Sequence, residues 1–225
     1  MKILCVSDIH GFLDGLIEVR NYLVSNGIHT VILMGDYSVG FRDLSRNRVD
    51  VEYALDSLKT NAKVYALPGN CDDPGVVDLF TQRGVNLHDN VVVLDGVSFL
   101  GLGGSNPSPF GTPFELAEEI IYQKLDGLFS RVKTEKSVVV THFPPKDTNC
   151  DVVPKVGHVG SPSLRKVIEE KQPALCLCSH IHECAGETDT IGKTVVLNVG
   201  PLGNGNLAVV DTATVTVNHE IVDFS

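Results

Sequence analysis

The sequence predicts an α+β fold in which two mixed β-sheets pack between helices as a four-layer αββα sandwich. The chain has 225 residues, of which 43% are hydrophobic but only 6% aromatic and none is Trp, so its core must be mainly aliphatic. Short buried strands alternate with helical segments up to Arg83, and strands dominate afterwards. No internal repeat, low-complexity linker or change in composition divides the chain, which predicts a single domain over residues 1–225.

The first third of the chain alternates strands with helices. Apolar runs of four or five residues, each followed by Gly or by a polar residue, predict buried strands. Apolar residues at helical spacing, ended by Asn26-Gly27 in the first case, predict the helices. The predicted strands are 2–6, 31–34 and 63–67, and the predicted helices are 13–26, 46–58 and 74–83.

The remainder of the chain is richer in strands. Asp95-Gly96 between two apolar runs predicts a β-hairpin. A loop rich in Gly, Pro and Ser spans 102–113, and an irregular stretch spans 143–162. The predicted strands are 91–94, 97–100, 138–140, 174–178, 195–199, 207–210 and 214–222, and the predicted helices are 114–132 and 163–171.

The composition limits the classes of function and the cellular setting. A formal net charge of −10 argues against a broad nucleic-acid-binding surface, although bound metal cations could still attract a small phosphate-bearing substrate. We expect no signal peptide, because Met1-Lys2 leads directly into the first strand, and no apolar run approaches the ~20 residues that span a bilayer. Three of the six cysteines lie in apolar runs. We therefore expect a reduced, cytoplasmic protein without structural disulfides or a membrane segment.

Five predicted strands end in residues that can bind metal. The signatures are Asp8-x-His10, Gly35-Asp36, Gly69-Asn70, Thr141-His142 and His180-x-His182. Ligands of layered α/β proteins bind beyond the carboxyl ends of strands, so these side chains can meet at one rim. Seven ligands are too many for one zinc site, which closes at four, and suit two metals that share a bridging carboxylate.

Each signature alone has an ordinary structural explanation. An Asp or His at a strand end is usually a cap or a hydrogen-bonded rim residue, and Gly-Asp is usually a turn. Their joint occurrence, always after a strand, favours the metal site.

The order of these motifs resembles that of the calcineurin-like metallophosphoesterase superfamily, over residues 1 to about 201. Within it, the chain is most similar to small prokaryotic, especially archaeal, phosphodiesterases. Those proteins carry a Cys in the third motif and a Gly-Gly-Ser-Asn-Pro loop, which correspond here to Cys71 and to residues 103–107.

The resemblance implies a metal-dependent phosphohydrolase, a diesterase rather than a monoesterase, acting on a small phosphate ester. It implies a hydroxide between two divalent metals that attacks phosphorus in line, with His142 and Asn70 taking part in catalysis as well as binding metal. Oxygen and imidazole ligands suit Mn²⁺ best, with Fe, Ni²⁺ or Zn²⁺ as alternatives. The implied ligands are Asp8, His10, Asp36 and His182 for the first metal, and Asp36, Asn70, His142 and His180 for the second.

Two positions depart from the superfamily pattern. Cys71 stands where a His is thought to protonate the leaving oxygen. A neutral thiol, with a pKa of ~8.5, is a poor acid at neutral pH, and general acid catalysis is worth ~10²–10⁴-fold. This predicts a preference for good leaving groups, unless His158 supplies the proton; a reactive or metal-touching thiolate at Cys71 is the alternative. Ser179 replaces a Gly, for which we expect little consequence.

Several further residues have weaker signals. His158 is either a proton donor at the rim or a solvated loop residue, and Asn106 is a candidate for contact with phosphate or the leaving group. Arg42 could clamp a phosphate or simply lie on the surface. Asp72 is expected to support the ligands or a turn rather than bind metal. His88 is expected on the surface.

Two other functions compete with the hydrolase. One is a protein-interaction scaffold of the same fold with a degraded metal site, as in the scaffold subunit of the retromer coat; all seven positions here keep residues able to bind metal. The other is a nuclease, which the acidic charge disfavours. A homo-oligomer is possible, and neither the natural substrate nor the native metal follows from the sequence.

Overall fold

Two β-sheets form the centre of the fold in the computed structural model, which describes residues 1–223. The strands are β1 (Lys2–Val6), β2 (Thr30–Leu33), β3 (Lys63–Ala66), β4 (Asn90–Leu94), β5 (Val97–Leu102), β6 (Lys136–Thr141), β7 (Val152–Val153), β8 (Gly157–His158), β9 (Leu175–Cys178), β10 (Thr188–Ile191), β11 (Thr194–Asn198), β12 (Asn206–Asp211) and β13 (Thr216–Ile221). The α-helices are α1 (Gly15–Ser25), α2 (Asn47–Leu58), α3 (Val76–Gln82), α4 (Glu118–Phe129) and α5 (Pro162–Lys171).

Both large sheets are mixed, as predicted. The first has the order β13-β12-β1-β2-β3, with β1, β2 and β3 parallel and β12 and β13 added as an antiparallel edge. The second has the order β10-β11-β9-β6-β5-β4, with four parallel strands between antiparallel edge strands. The short pair β7-β8 is separate. Parallel strands end at the same edge of a sheet, which places the polar strand ends together.

Successive side chains of a strand point to opposite faces of the sheet, and the apolar ones form three layers. In β1, Leu4 and Val6 pack with residues of α1, α2 and α3, whereas Ile3 and Cys5 face the second sheet. The opposite face of the second sheet packs on α4 and α5 through residues such as Leu125 and Val167. These layers confirm the αββα arrangement.

Two local predictions were wrong, and one strand was missed. Helix α4 begins at Glu118, not at residue 114, because Phe114 and Leu116 pair their backbones with Ser105 instead. The stretch 143–162 contains the hairpin β7-β8, and β10 was not predicted.

Among residues 1–223, no helix is long and apolar enough to cross a membrane.

Candidate metal centre

The loops after β1 and β2 are joined by backbone hydrogen bonds. The Asp8 amide donates to the Gly35 carbonyl at 3.1 Å, and the His10 amide donates to the Asp36 carbonyl at 2.8 Å. Asp8, His10 and Asp36 have positive φ angles of 48°, 43° and 54°, and His180 has 69°. The chain therefore turns sharply at each of these residues, immediately beyond a strand.

Glycine precedes Asp36 and Asn70 because the loops after β2 and β3 are in contact. A Cβ atom on Gly69 would overlap Asp36 Oδ1, and one on Gly35 would overlap the Gly69 nitrogen. Only glycine allows this approach, which brings Asn70 beside the Asp36 carboxylate.

Six of the predicted ligands form two groups of three whose potential ligand atoms lie within 4.8 Å of one another. One group is Asp8, His10 and His182, and the other is Asp36, His142 and His180. His10 Nε2 lies 3.6 Å from both Asp8 Oδ1 and Asp36 Oδ2, so the groups adjoin at Asp36. The seventh predicted ligand, Asn70, places Oδ1 3.0 Å from His142 Nε2.

The two carboxylates of this centre are buried and paired only with histidine. Asp8 and Asp36 are 1% and 2% exposed, and within residues 1–223 neither has a Lys or Arg partner. Burial opposes ionisation of Asp36, but the charge and hydrogen bond of His142 together with the charge of His10 outweigh it and lower the pKa to about 2. Burial likewise opposes protonation of His142, but Asp36 and Asp8 raise its pKa to about 10. Two ionised, buried carboxylates require positive charge, which protonated His142 supplies in the metal-free protein and which divalent cations would supply in its place.

The ring of His142 is oriented for binding through Nε2. Its Nδ1 lies 2.9 Å from the carbonyl oxygen of Met34, which can only accept a hydrogen bond. Nδ1 must therefore carry a hydrogen. In the protonated ring Nε2 carries one as well and faces Asn70 Oδ1 at 3.0 Å and Asp36 Oδ2 at 3.5 Å, and loss of that proton would leave the lone pair on Nε2 for a cation. The donor set of carboxylates, imidazoles and one amide oxygen fits a site for divalent metal ions.

Asp72 supports the backbone of the candidate metal centre through four hydrogen bonds. Its Oδ2 accepts hydrogen bonds from the amides of Asp36 (2.8 Å) and Gly69 (2.7 Å), and its Oδ1 accepts from the Tyr37 amide (3.1 Å) and from Asn47 Nδ2 (2.8 Å). It is fully buried and outside both groups of potential ligands. This placement agrees with a supporting role.

Cys71 lies at the edge of the centre as a thiol. Its amide donates to Asp36 Oδ1 at 2.9 Å. Burial, and then the charge of Asp36, raise the pKa of the thiol far above its usual value. In the metal-free protein this favours the neutral thiol over a thiolate.

The other predicted site residues lie outside the two groups. His158 is exposed on β8, and its Nδ1 is 2.6 Å from Asp151 Oδ1, a hydrogen bond that raises the pKa of the imidazole. Arg42 is exposed on the loop after β2. Asn106 lines a cavity together with His180.

Two buried side chains make contacts that the sequence did not indicate. The Ser179 hydroxyl donates to Asp8 Oδ2, although little consequence was expected for this residue. The expectation that His88 lies on the surface was wrong: it is buried against Phe114, and its Nδ1 accepts from the Gly103 amide at 3.0 Å. Burial lowers its pKa to about 4, which keeps the ring neutral and able to accept. The sequence feature that could have indicated this burial is the Gly-rich loop, whose Gly103 contacts His88.

Comparison with known proteins identifies the family. The model of a family described as calcineurin-like phosphoesterase matches residues 1–184. A protein of Methanocaldococcus jannaschii is 35% identical over 207 residues, which cover 89% of this chain and 88% of that protein. A crystal structure from Thermus thermophilus superposes with a TM-score of 0.75 at 17% identity, covering 99% of both chains. An archaeal phosphodiesterase superposes with a TM-score of 0.58 at 17% identity, covering 99% of this chain and 100% of the other.

These two superpositions show a shared fold, and the evidence for the activity is the family match. Both groups of potential metal ligands described above lie within the matched residues. The chain belongs to the calcineurin-like phosphoesterase family and is a hydrolase of phosphate esters.

Proposed function

We propose that the protein is a phosphodiesterase that uses two divalent cations. The observation that carries this proposal is the pair of adjoining ligand groups around two buried carboxylates that have no Lys or Arg partner among residues 1–223. A site built only to stabilise the fold would gain more from apolar side chains, because buried charges cost free energy unless they are paired.

The proposed ligands follow the two groups, with Asp36 shared. Bound cations would supply an acidified water as the nucleophile and would neutralise charge on the phosphoryl oxygens. Mn²⁺ suits this mixture of oxygen and imidazole ligands. The first cation would be held by Asp8, His10, Asp36 and His182, and the second by Asp36, Asn70, His142 and His180.

The protein's own groups orient this chemistry. Asp72 fixes the backbone of Asp36, and the Met34 carbonyl fixes the ring of His142. The uncharged thiol of Cys71 is a weak proton donor for a departing alkoxide. The proposed reaction therefore favours esters whose leaving group departs without protonation.

Purified protein supplied with Mn²⁺ is expected to contain about two metal ions per chain and to hydrolyse bis-p-nitrophenyl phosphate faster than p-nitrophenyl phosphate. Elemental analysis and release of p-nitrophenolate measure the two quantities, and protein treated with a chelator is the control. Absence of hydrolysis with Mn²⁺, Fe²⁺, Ni²⁺ and Zn²⁺ would contradict the proposal.

Cys71→His is expected to raise turnover of diesters with poor leaving groups by about 10²-fold, because an imidazole with a pKa of ~6.5 donates a proton far better than the thiol. Hydrolysis of methyl p-nitrophenyl phosphate, which has a good leaving group, should change little. The test compares kcat for an alkyl diester in the two proteins. Cys71→Ala is the control for removal of the thiol, and an equal gain from Ala would refute the missing-acid explanation.

A further inference from the structure

A cavity of about 360 Å³ opens directly beside the metal centre, with His180 in its lining. Most of its wall is apolar, and no Asp, Glu, Lys or Arg side chain of the described residues 1–223 lines it. The apolar lining residues are Pro107, Pro109, Phe110, Val153, Val156, Val159 and Ile181.

Two segments form the walls. We call residues 103–113 the proline loop and residues 152–159 the valine hairpin. Asn106 of the proline loop donates from Nδ2 to the carbonyl of Val159 at 3.1 Å, which ties the walls together. Glu115 Oε1 fixes the proline loop by accepting from the Ser108 hydroxyl at 2.6 Å and from the Thr112 amide at 2.9 Å.

A buried carboxylate fixes the valine hairpin in a similar way. Asp151 accepts hydrogen bonds from the amides of Thr148 and Gly160, both at 2.9 Å, and contacts His158 Nδ1 at 2.6 Å. Both walls are thus held by hydrogen bonds that do not depend on a ligand. A preformed cavity binds its ligand without the entropic cost of ordering loops.

We propose that this cavity binds an apolar arm of the substrate, so that the preferred substrates are phosphodiesters with one aromatic or branched aliphatic arm. The inference rests on the proposed function, because His180 is a proposed ligand of the second cation. A group in the cavity would therefore be joined to a phosphorus atom held at the metals. The volume lies in the range of small-molecule sites and suits a ring-sized group.

The surface at the mouth of the cavity supports this occupant. Phe110 and Val156 are each 73% exposed, one on each wall. Apolar side chains that converge at the mouth of a cavity are typical of binding sites, and a bound apolar arm would remove them from water. A charged headgroup or a sugar would instead lose its hydration against apolar walls.

The test varies one arm of a diester at constant leaving group. Methyl, phenyl and thymidine 5′-esters of p-nitrophenyl phosphate all release p-nitrophenolate and carry the same charge. With Mn²⁺, we expect kcat/KM for the phenyl ester to exceed that of the methyl ester by about tenfold or more, since small apolar groups in such pockets change specificity by this order. The thymidine ester should react more slowly than the phenyl ester.

Val156→Asp is expected to reduce the phenyl-to-methyl ratio of kcat/KM to near one. Val152→Asp is the matched control, because Val152 is exposed on the same hairpin but does not line the cavity. Any repulsion of the anionic substrates by the new charge affects both esters equally and cancels in the ratio. An unchanged ratio in Val156→Asp, or an equal fall in Val152→Asp, would overturn the inference.

Calorimetric binding of diphenyl phosphate gives a readout that does not need turnover. Wild-type protein and Val152→Asp should bind it about tenfold more tightly than Val156→Asp. If no ester is hydrolysed but this difference persists, the proposed function fails and the cavity assignment stands. If esters are hydrolysed without preference and the three proteins bind alike, the cavity assignment fails alone. A dimer in light scattering that Val156→Asp abolishes, with no change in ester preference, would assign the cavity to a second copy of the chain and overturn the proposal.

Discussion

Asp36→Asn protein is expected to lose at least one of the two proposed metal ions and to hydrolyse bis-p-nitrophenyl phosphate about 10³-fold more slowly or worse. Asn preserves the shape of the side chain and can still accept from the Cys71 amide, which donates to Oδ1 at 2.9 Å. It removes the charge that the two proposed cation sites would share. Elemental analysis and initial rates at saturating Mn²⁺ measure the two losses.

Asp43→Asn is the matched control, because Asp43 is an exposed carboxylate on the same loop. That protein should retain metal and activity. An unchanged thermal melting curve would show that Asp36→Asn is folded. Two bound metals and full activity in Asp36→Asn would refute the proposed ligand set.

Asp72→Ala is expected to lower the free energy of unfolding by about 3–5 kcal/mol. Losses of this size are typical of substitutions that break a buried hydrogen-bond network. The substitution leaves three buried amides and the Asn47 side chain without the acceptor they share. Urea denaturation of metal-free protein measures the loss without a contribution from bound metal.

Asp78→Ala, which removes an exposed carboxylate from α3, is the control and should change stability by less than about 0.5 kcal/mol. Asp72→Asn keeps one acceptor oxygen and should lie between the two. If Asp72→Ala were as stable as Asp78→Ala, Asp72 would not be the support that its hydrogen bonds indicate.

The sandwich could be predicted from the sequence because its strands carry continuous apolar runs. The parallel strands β1, β2 and β3 are covered on both faces, so their runs are unbroken and easily seen. The meeting of Asp8, Asp36 and Asn70 followed from the rule that the carboxyl ends of parallel strands share an edge. The apolar runs that mark each strand were therefore enough to predict which strand ends meet.

The walls of the apolar cavity could not be predicted in this way. The strands β7 and β8 have only two residues each, too few for periodicity to indicate a strand. Their shape depends on Asp151, which accepts hydrogen bonds from Thr148 before it and from Gly160 after it in the chain.

The burial of His88 likewise depends on Phe114 and Gly103, which are distant in sequence. Contacts between residues distant in sequence produce no periodic pattern in the sequence from which they could be predicted.

The left-handed turns at the strand ends have a consequence for how this sequence can evolve. Outside glycine, each such conformation costs about 1–2 kcal/mol, and Asp8, His10, Asp36 and His180 all adopt it. Glycine at any one of these positions would relieve that strain. In a lineage released from selection for hydrolysis, glycine would therefore be favoured most at His10 and His180, because Asp8 and Asp36 also accept hydrogen bonds from the Ser179 hydroxyl and the Cys71 amide. The backbone at these four turns therefore costs folding free energy, which the proposed function explains and stability does not.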